Sequence, residues 1–172
     1  MNTEATEMKK RESPALGKTI GKIAGIIDHG TFPTGDRAAL KRMSPGVEPP
    51  LTFYRFCFQN MEEGWEWKKE EWLTIIAGIA LMCPNPHNYE KSAGMALASW
   101  GYSEKRLERL FASSGEVLRL LTLRAARFLS AKNESINWVD FARLLLSETP
   151  EKRENARMKI ARDFYKSQKP EG

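Results

Sequence analysis

The chain has 172 residues, 41% of them hydrophobic and 28% charged, with a net charge of +5. That length buries a real core in one domain or two small lobes, and the composition is that of an ordinary soluble globular protein. The longest apolar runs fall far short of the roughly 20 residues of a membrane span, and Cys57 and Cys83 form neither a CxxC pair nor a disulfide framework, which fits a reducing cytoplasm.

Residues 1–13 are polar, mixed in charge and without the apolar core of a signal peptide, so a flexible tail is expected there. Ser13-Pro14 has the form of a cap followed by proline at the first helical position. Leu16, Ile20, Ile23 and Ile27 then repeat at helical spacing and define one buried face. Gly17, Gly21 and Gly25, four residues apart, read as a groove for close approach by another backbone. After a loop over 28–33, Thr34 reads as the N-cap of a short helix that carries Arg37 and Lys41 on one face with Arg42 beside them. Three cations so close together on one rigid turn make a comb for phosphates, although a single such cluster is also read as a solvated basic patch.

The Pro/Gly-rich stretch Ser44–Pro50 is a linker, and Leu51–Asn60 resumes as an apolar helix with Arg55 in its middle. A break at Gly64–Trp67 precedes a helix over 68–82, with Trp72, Ile75, Ile76, Ile79 and Ala80 as its expected core face. Pro84-Asn85-Pro86 ends it, which divides the chain into an N-terminal lobe (14–83), a connecting loop (84–91) and a C-terminal lobe (92–168). In the second lobe Ser92–Ser99 is a short helix of small residues, Ser103 caps the next, and Ser113-Ser114-Gly115-Glu116 has capping-box spacing ahead of a long helix to about Leu129. Asn137 and Thr149-Pro150 open the last two. No strand-type alternation of useful length occurs. The expected fold is all-α, a two-lobed helical bundle of about eight to nine helices.

Charge is unevenly spread along the chain. Residues 1–60 hold 9 Lys+Arg against 6 Asp+Glu, residues 61–100 hold 3 against 6, and residues 101–172 hold 15 against 10. This basic–acidic–basic layout favours a directed surface for a polyanion. On the helix that starts at Glu116, Leu118, Leu121, Ala125, Phe128 and Leu129 cluster on one side, and Arg119, Arg124 and Arg127 fan over the other with Leu120 and Leu123 between them. Guanidinium groups that fork onto phosphates beside aliphatic groups suit a contact surface; pairing of those arginines with local carboxylates is the alternative. Arg106 and Arg109 on the preceding helix, and Arg153 and Arg157 on the last, extend a basic stripe.

Signals for catalysis are weak to absent. His29 and His87 lie in Pro/Gly-flanked loops away from any triad motif, Cys83 and His87 have no second ligand pair for a metal, and no phosphate-binding glycine loop or nucleophile elbow occurs. The carboxylates of 62–71 alternate with tryptophans and lysines and read as a solvated helix entry. An enzyme is not expected, nor is a cofactor or metal.

Five segments in register resemble one family: GDRAALKR (35–42), TFYRF (52–56), SEKRLERLFAS (103–113), INWVDFARLLL (136–146) and KIARDFY (159–165). Their order is similar to that in CasB, the small subunit of the type I-E CRISPR Cascade surveillance complex, over about three-quarters of the chain. Lys41 departs from the pattern, where arginine is more usual; charge is kept and bidentate geometry is lost. The resemblance implies an all-helical, two-lobed, non-catalytic cytoplasmic subunit. Its partners would be guide RNA, target DNA, the other Cascade subunits and a second copy of itself. No membrane or small-molecule substrate is implied. Such a subunit holds nucleic-acid backbone without sequence preference and stabilises the R-loop, including the displaced strand. Carried over by motif, Arg37, Lys41, Arg42, Arg55, Arg106, Arg109 and Arg143 would be nucleic-acid contacts. Arg119, Arg124, Arg127, Arg153 and Arg157 rest on the helical-face argument alone. Arg55 and Arg143 sit among aromatics and leucines and are equally read as structural. A free-standing helical nucleic-acid-binding regulator and a purely structural scaffold are the alternatives.

Overall fold

In a computed structural model the protein is described over residues 3–168, with side chains from residue 15 onward. Among the described residues there are nine α-helices and one short 3-10 turn, and no strand. They are α1 (Thr3–Asp28), α2 (Thr34–Lys41), α3 (Leu51–Asn60), α4 (Lys69–Leu81), α5 (Ala93–Ser99), α6 (Glu104–Ala112), α7 (Gly115–Ala131), α8 (Val139–Leu146) and α9 (Pro150–Ser167). The 3-10 turn, Trp65–Lys68, leads into α4. No helix is long and apolar enough to cross a membrane.

Helix α4 is the axle of the bundle. Every residue from Leu73 to Leu81 is buried, which fits a helix that is apolar on all sides and has neighbours all round. It packs against α1, α2, α7 and α8. Arg119 of α7 reaches Glu71 near the start of α4, and Ser130 of α7 donates to the Leu81 carbonyl at its end (2.8 Å). The two helices therefore run parallel. Gly78 lets them close on α8, because a Cβ there would lie 2.1 Å from the fully buried Trp138 ring. One buried cluster runs from Ile20 through α4 to Phe164, so the core is continuous across the connector at 84–91.

The caps explain several boundaries. Ser92, Ser103 and Thr149 each accept from the backbone N–H three residues on, at Met95, Arg106 and Lys152, and Pro150 follows Thr149 at the first helical position. Asn137 accepts from Val139 N–H at the head of α8 (3.1 Å). Other expected starts are corrected. Of the predicted tail 1–13, residues 1 and 2 lie outside the described residues; from Thr3 the backbone is already helical, so Ser13-Pro14 sits inside α1. The preceding segment is rich in Glu, Lys, Ala and Met, good helix formers that extend the helix upstream. Thr34 is the first helical residue of α2, with Pro33 at the cap position and no side-chain cap bond. Ser114 precedes α7 without a side-chain cap bond, while Ser113 donates to the Leu110 carbonyl and so closes α6 instead.

The glycine groove of α1 is filled by a side chain, not a backbone. The Tyr89 hydroxyl donates to the Gly17 carbonyl (2.6 Å), and a Cβ on Gly21 would lie 2.3 Å from that hydroxyl. The connector is thus pinned to α1. At the far end of the same helix, Asp28 accepts from the Asn85 N–H.

Asp140, on α8, is 2% exposed and joins three helices. Its Oδ2 accepts from the Ala93 N–H at the start of α5 (3.0 Å), and its Oδ1 lies 2.9 Å from Lys159 Nζ on α9. Lys159 also bonds Asp163 (2.9 Å). Burial disfavours the Lys159 ammonium, but hydrogen bonds to Asp163 and Asp140 and the charges of both outweigh it, so its pKa is raised above that of an ordinary lysine.

Candidate nucleic-acid interface

The cations read from the sequence fall into two groups once they are placed on the fold. Lys41 and Arg42 at the end of α2, Arg106 and Arg109 on α6, and Arg124 and Arg127 on α7 are exposed. The others are engaged or half-buried. Arg37 folds back onto the end of α1, where its Nε donates to the Ile27 carbonyl (2.9 Å) and its Nη2 to the His29 carbonyl (3.1 Å), with the guanidinium 5.7 Å from the Phe32 ring centre. That is the role of a C-terminal cap, satisfying carbonyls that a helix end leaves open. Only part of the expected comb therefore points to solvent.

Arg55 pairs with Asp36 across α3 and α2 (2.9 Å) while remaining half exposed. Arg119 lies in a half-buried pair with Glu71 of α4 (3.3 Å). Arg157 sits 3.9 Å from Glu154 on its own helix, and Arg153 is half-buried. Arg143 lines a cavity of about 490 Å³ between α8, the first half of α9 and Leu16 of α1.

Helix α7 shows why these groups separate. At about 100° per residue, Arg119 and Arg124 are about 140° apart, and the helix buries Leu118, Thr122, Leu123, Ala125, Ala126 and Leu129 between them. Leu123, expected on the contact face, is 1% exposed. The outer face instead carries Val117, Leu120, Arg124 and Arg127, so the expected mixture of aliphatic and guanidinium groups exists with a different membership.

The cations of α6 and the end of α7 meet around aromatic rings that sequence reading did not single out. The Arg106 guanidinium lies 5.8 Å from the Tyr102 ring centre, and Tyr102 packs edge-on against Phe128 of α7 (5.3 Å). Lys132 Nζ stands 5.8 Å from the Trp100 ring centre and 6.0 Å from that of Phe128. Burial raises the Tyr102 hydroxyl pKa, and the charges of Arg106 and Arg109 pull it back down, which places both cations near that ring. The Trp100 indole N–H donates to Glu134 (2.8 Å), which also pairs with Lys91 (2.8 Å). These bonds to Lys91, Trp100 and the Ser135 N–H outweigh partial burial and hold the Glu134 carboxyl below the usual carboxylate range. The one local signal for this grouping is the i,i+4 spacing of Phe128 and Lys132; the rest is tertiary.

This arrangement offers fixed positive charge beside planar apolar surface. Burial pushes the Cys57 thiol up to about 12, helped by Glu66, and the Cys83 thiol up to about 11 with Asp28 adding to it, so neither is a thiolate nucleophile near neutral pH. His87 accepts from the Trp138 N–H through Nδ1 (3.1 Å), a bond that holds the imidazole within the fold.

A family model described as CRISPR-associated protein Cse2 matches residues 36–165. The chain belongs to the Cse2 family. The matched span includes the five segments that resemble CasB, from Asp36 of the first to Tyr165 of the last. No curated protein matches the chain. Cse2 proteins are the small subunit of the type I-E Cascade complex and structural members of it, which makes other Cascade subunits partners of this chain.

Proposed function

We propose that this Cse2 chain is a non-catalytic subunit that binds guide RNA and target DNA through their backbones, without sequence preference, and prolongs the R-loop by holding the displaced strand. The observation that supports the reading best is the group formed by α6 and α7. Arg106, Arg109 and Lys132 stand around Tyr102, Phe128 and Trp100, and Arg124 and Arg127 are exposed on the same α7 helix. Guide pairing reads the sequence in such complexes, so the protein needs only cations spaced along a backbone. R-loop formation is nearly balanced in energy, so a few phosphate contacts decide whether the open state persists. Two copies of the chain per complex belong to the same proposal.

The test is R-loop lifetime in the assembled complex on several unrelated targets that share a guide-matched site design. Removal of this chain shortens the lifetime on all of them alike, and adding the purified chain back restores it. The isolated chain binds random single and double strands weakly. Tight binding of the isolated chain to one defined sequence would instead identify a free-standing regulator. An R-loop lifetime indifferent to the chain would leave it a scaffold.

A further inference from the structure

The acidic middle of the chain carries the most exposed apolar side chains of the described residues. Helix α3 buries Phe53, Phe56 and Cys57 but leaves Leu51 82% exposed and Phe58 69% exposed. These two are seven residues apart, so they share a face about 10 Å long. Trp67 follows in the 3-10 turn and is 89% exposed. It is held out by the local backbone. Gly64 takes a left-handed conformation (φ +96°), the Trp67 N–H donates to the Gly64 carbonyl (3.2 Å), and Trp65 turns inward instead, against Phe53 and Phe58 (5.8 and 5.5 Å). Val47, ahead of α3, is exposed as well. Glu62, Glu63 and Glu66 surround the tip of this ridge and are exposed.

We infer that the ridge Leu51–Phe58–Trp67 is a docking surface for another protein subunit of Cascade, whose matching surface is an apolar pocket rimmed by lysine or arginine. Large aromatic groups left in water at a fixed position are the anchors of protein interfaces. The three glutamates select the partner by charge: they repel nucleic acid and anionic membrane alike and complement a basic rim. This inference rests on family membership and the exposed ridge, and not on the nucleic-acid reading, which uses other helices.

The experiment co-expresses the full chain with the remaining Cascade subunits and guide RNA, and measures how much of it is retained when the complex is captured through another subunit. Trp67→Ser lowers retention at least about tenfold, while the melting temperature of the isolated chain and its affinity for single-stranded DNA stay unchanged. A chain with Glu62→Lys, Glu63→Lys and Glu66→Lys probes the same surface without touching an aromatic contact and gives the same loss. Unchanged retention in both chains overturns the inference. So does a self-associated wild-type chain that Trp67→Ser turns into a monomer in sedimentation, because the occupant is then a second copy. Loss of DNA binding by the isolated Trp67→Ser chain overturns it too. Normal DNA binding with lost retention supports it, and it stands even if Arg106 and Arg109 prove irrelevant to DNA.

Discussion

Two arginine sites that look alike in sequence separate in the structure, and substituting each gives a different result. Arg106 and Arg109 are exposed and project from α6; replacing both by glutamine removes two cations without uncovering any buried partner. Each phosphate contact contributes about 0.7 to 0.9 to the dependence of log K on log salt, so the slope for DNA binding by the assembled complex falls by about 1.4–1.8. Taken at about 0.15 M salt, the same terms amount to a roughly 15- to 30-fold weaker affinity. The loss is the same for every sequence, and the melting temperature does not change. Arg119→Gln does the reverse. It strands Glu71, whose side chain is only 20% exposed, and costs about 1–2 kcal/mol, between the values for exposed and fully buried pairs. For a chain of this size that is a fall of about 2–8 °C in Tm, with the salt slope intact. Fluorescence anisotropy across a salt series, paired with thermal melts, measures both quantities. If Arg119→Gln flattened the slope, or if Arg106→Gln/Arg109→Gln left it untouched, the assignment of these arginines would be refuted.

Three further outcomes follow from the packing. Lys159→Met leaves Asp140 buried without its cation and destabilises by about 3 kcal/mol, the lower end for a buried pair because Lys159 is one-third exposed; adding Asp140→Asn recovers part of that in chemical denaturation, and a single-variant loss below about 1 kcal/mol would contradict the bridge. Gly94→Ala drives a Cβ to within 2.2 Å of the Ile160 carbonyl oxygen and 2.8 Å of the Phe164 nitrogen, backbone atoms that cannot rotate away, so α5 separates from α9 at a cost of about 1–3 kcal/mol or more; an unchanged urea midpoint would show that the contact is looser. Burial, partly opposed by the Ile136 carbonyl, lowers the His87 pKa below its ordinary 6.5. The unfolded chain then binds the proton first as pH falls, so the stability that His87 supports is present above about pH 6.5 and is lost as pH drops through the folded value. Tm measured from pH 8 to pH 5 shows this fall in wild type and a smaller one in His87→Gln; equal profiles would exclude His87 as its source.

What could be read from the sequence was local. Ser92, Ser103 and Thr149-Pro150 mark their helices because a cap and its amide lie within three residues, and the all-α class followed from apolar periodicity. Starts that failed had competing local signals: Ser13-Pro14 follows a run of strong helix formers, and Pro33 takes the position expected for Thr34. Leu123 was misplaced because α7 packs against α4, α5, α6 and α8, so its buried arc is wider than one stripe. The fate of the arginines was out of reach for a different reason. Arg37 meets carbonyls ten and eight residues upstream, and Arg119 meets a carboxylate 48 residues away; both have the composition of a binding residue and the geometry of a structural one. The aromatic group at Trp100, Tyr102 and Phe128 forms only when α6 and α7 fold together.

The carboxylate of Asp140 has a consequence for how the molecule opens. With one oxygen on the first amide of α5 and the other on a lysine of α9, α8 cannot release either neighbour without abandoning a charge in the interior. The three helices are therefore expected to unravel as one cooperative block, with amide protons in α5 exchanging no faster than those in α9 despite α5 having only seven residues.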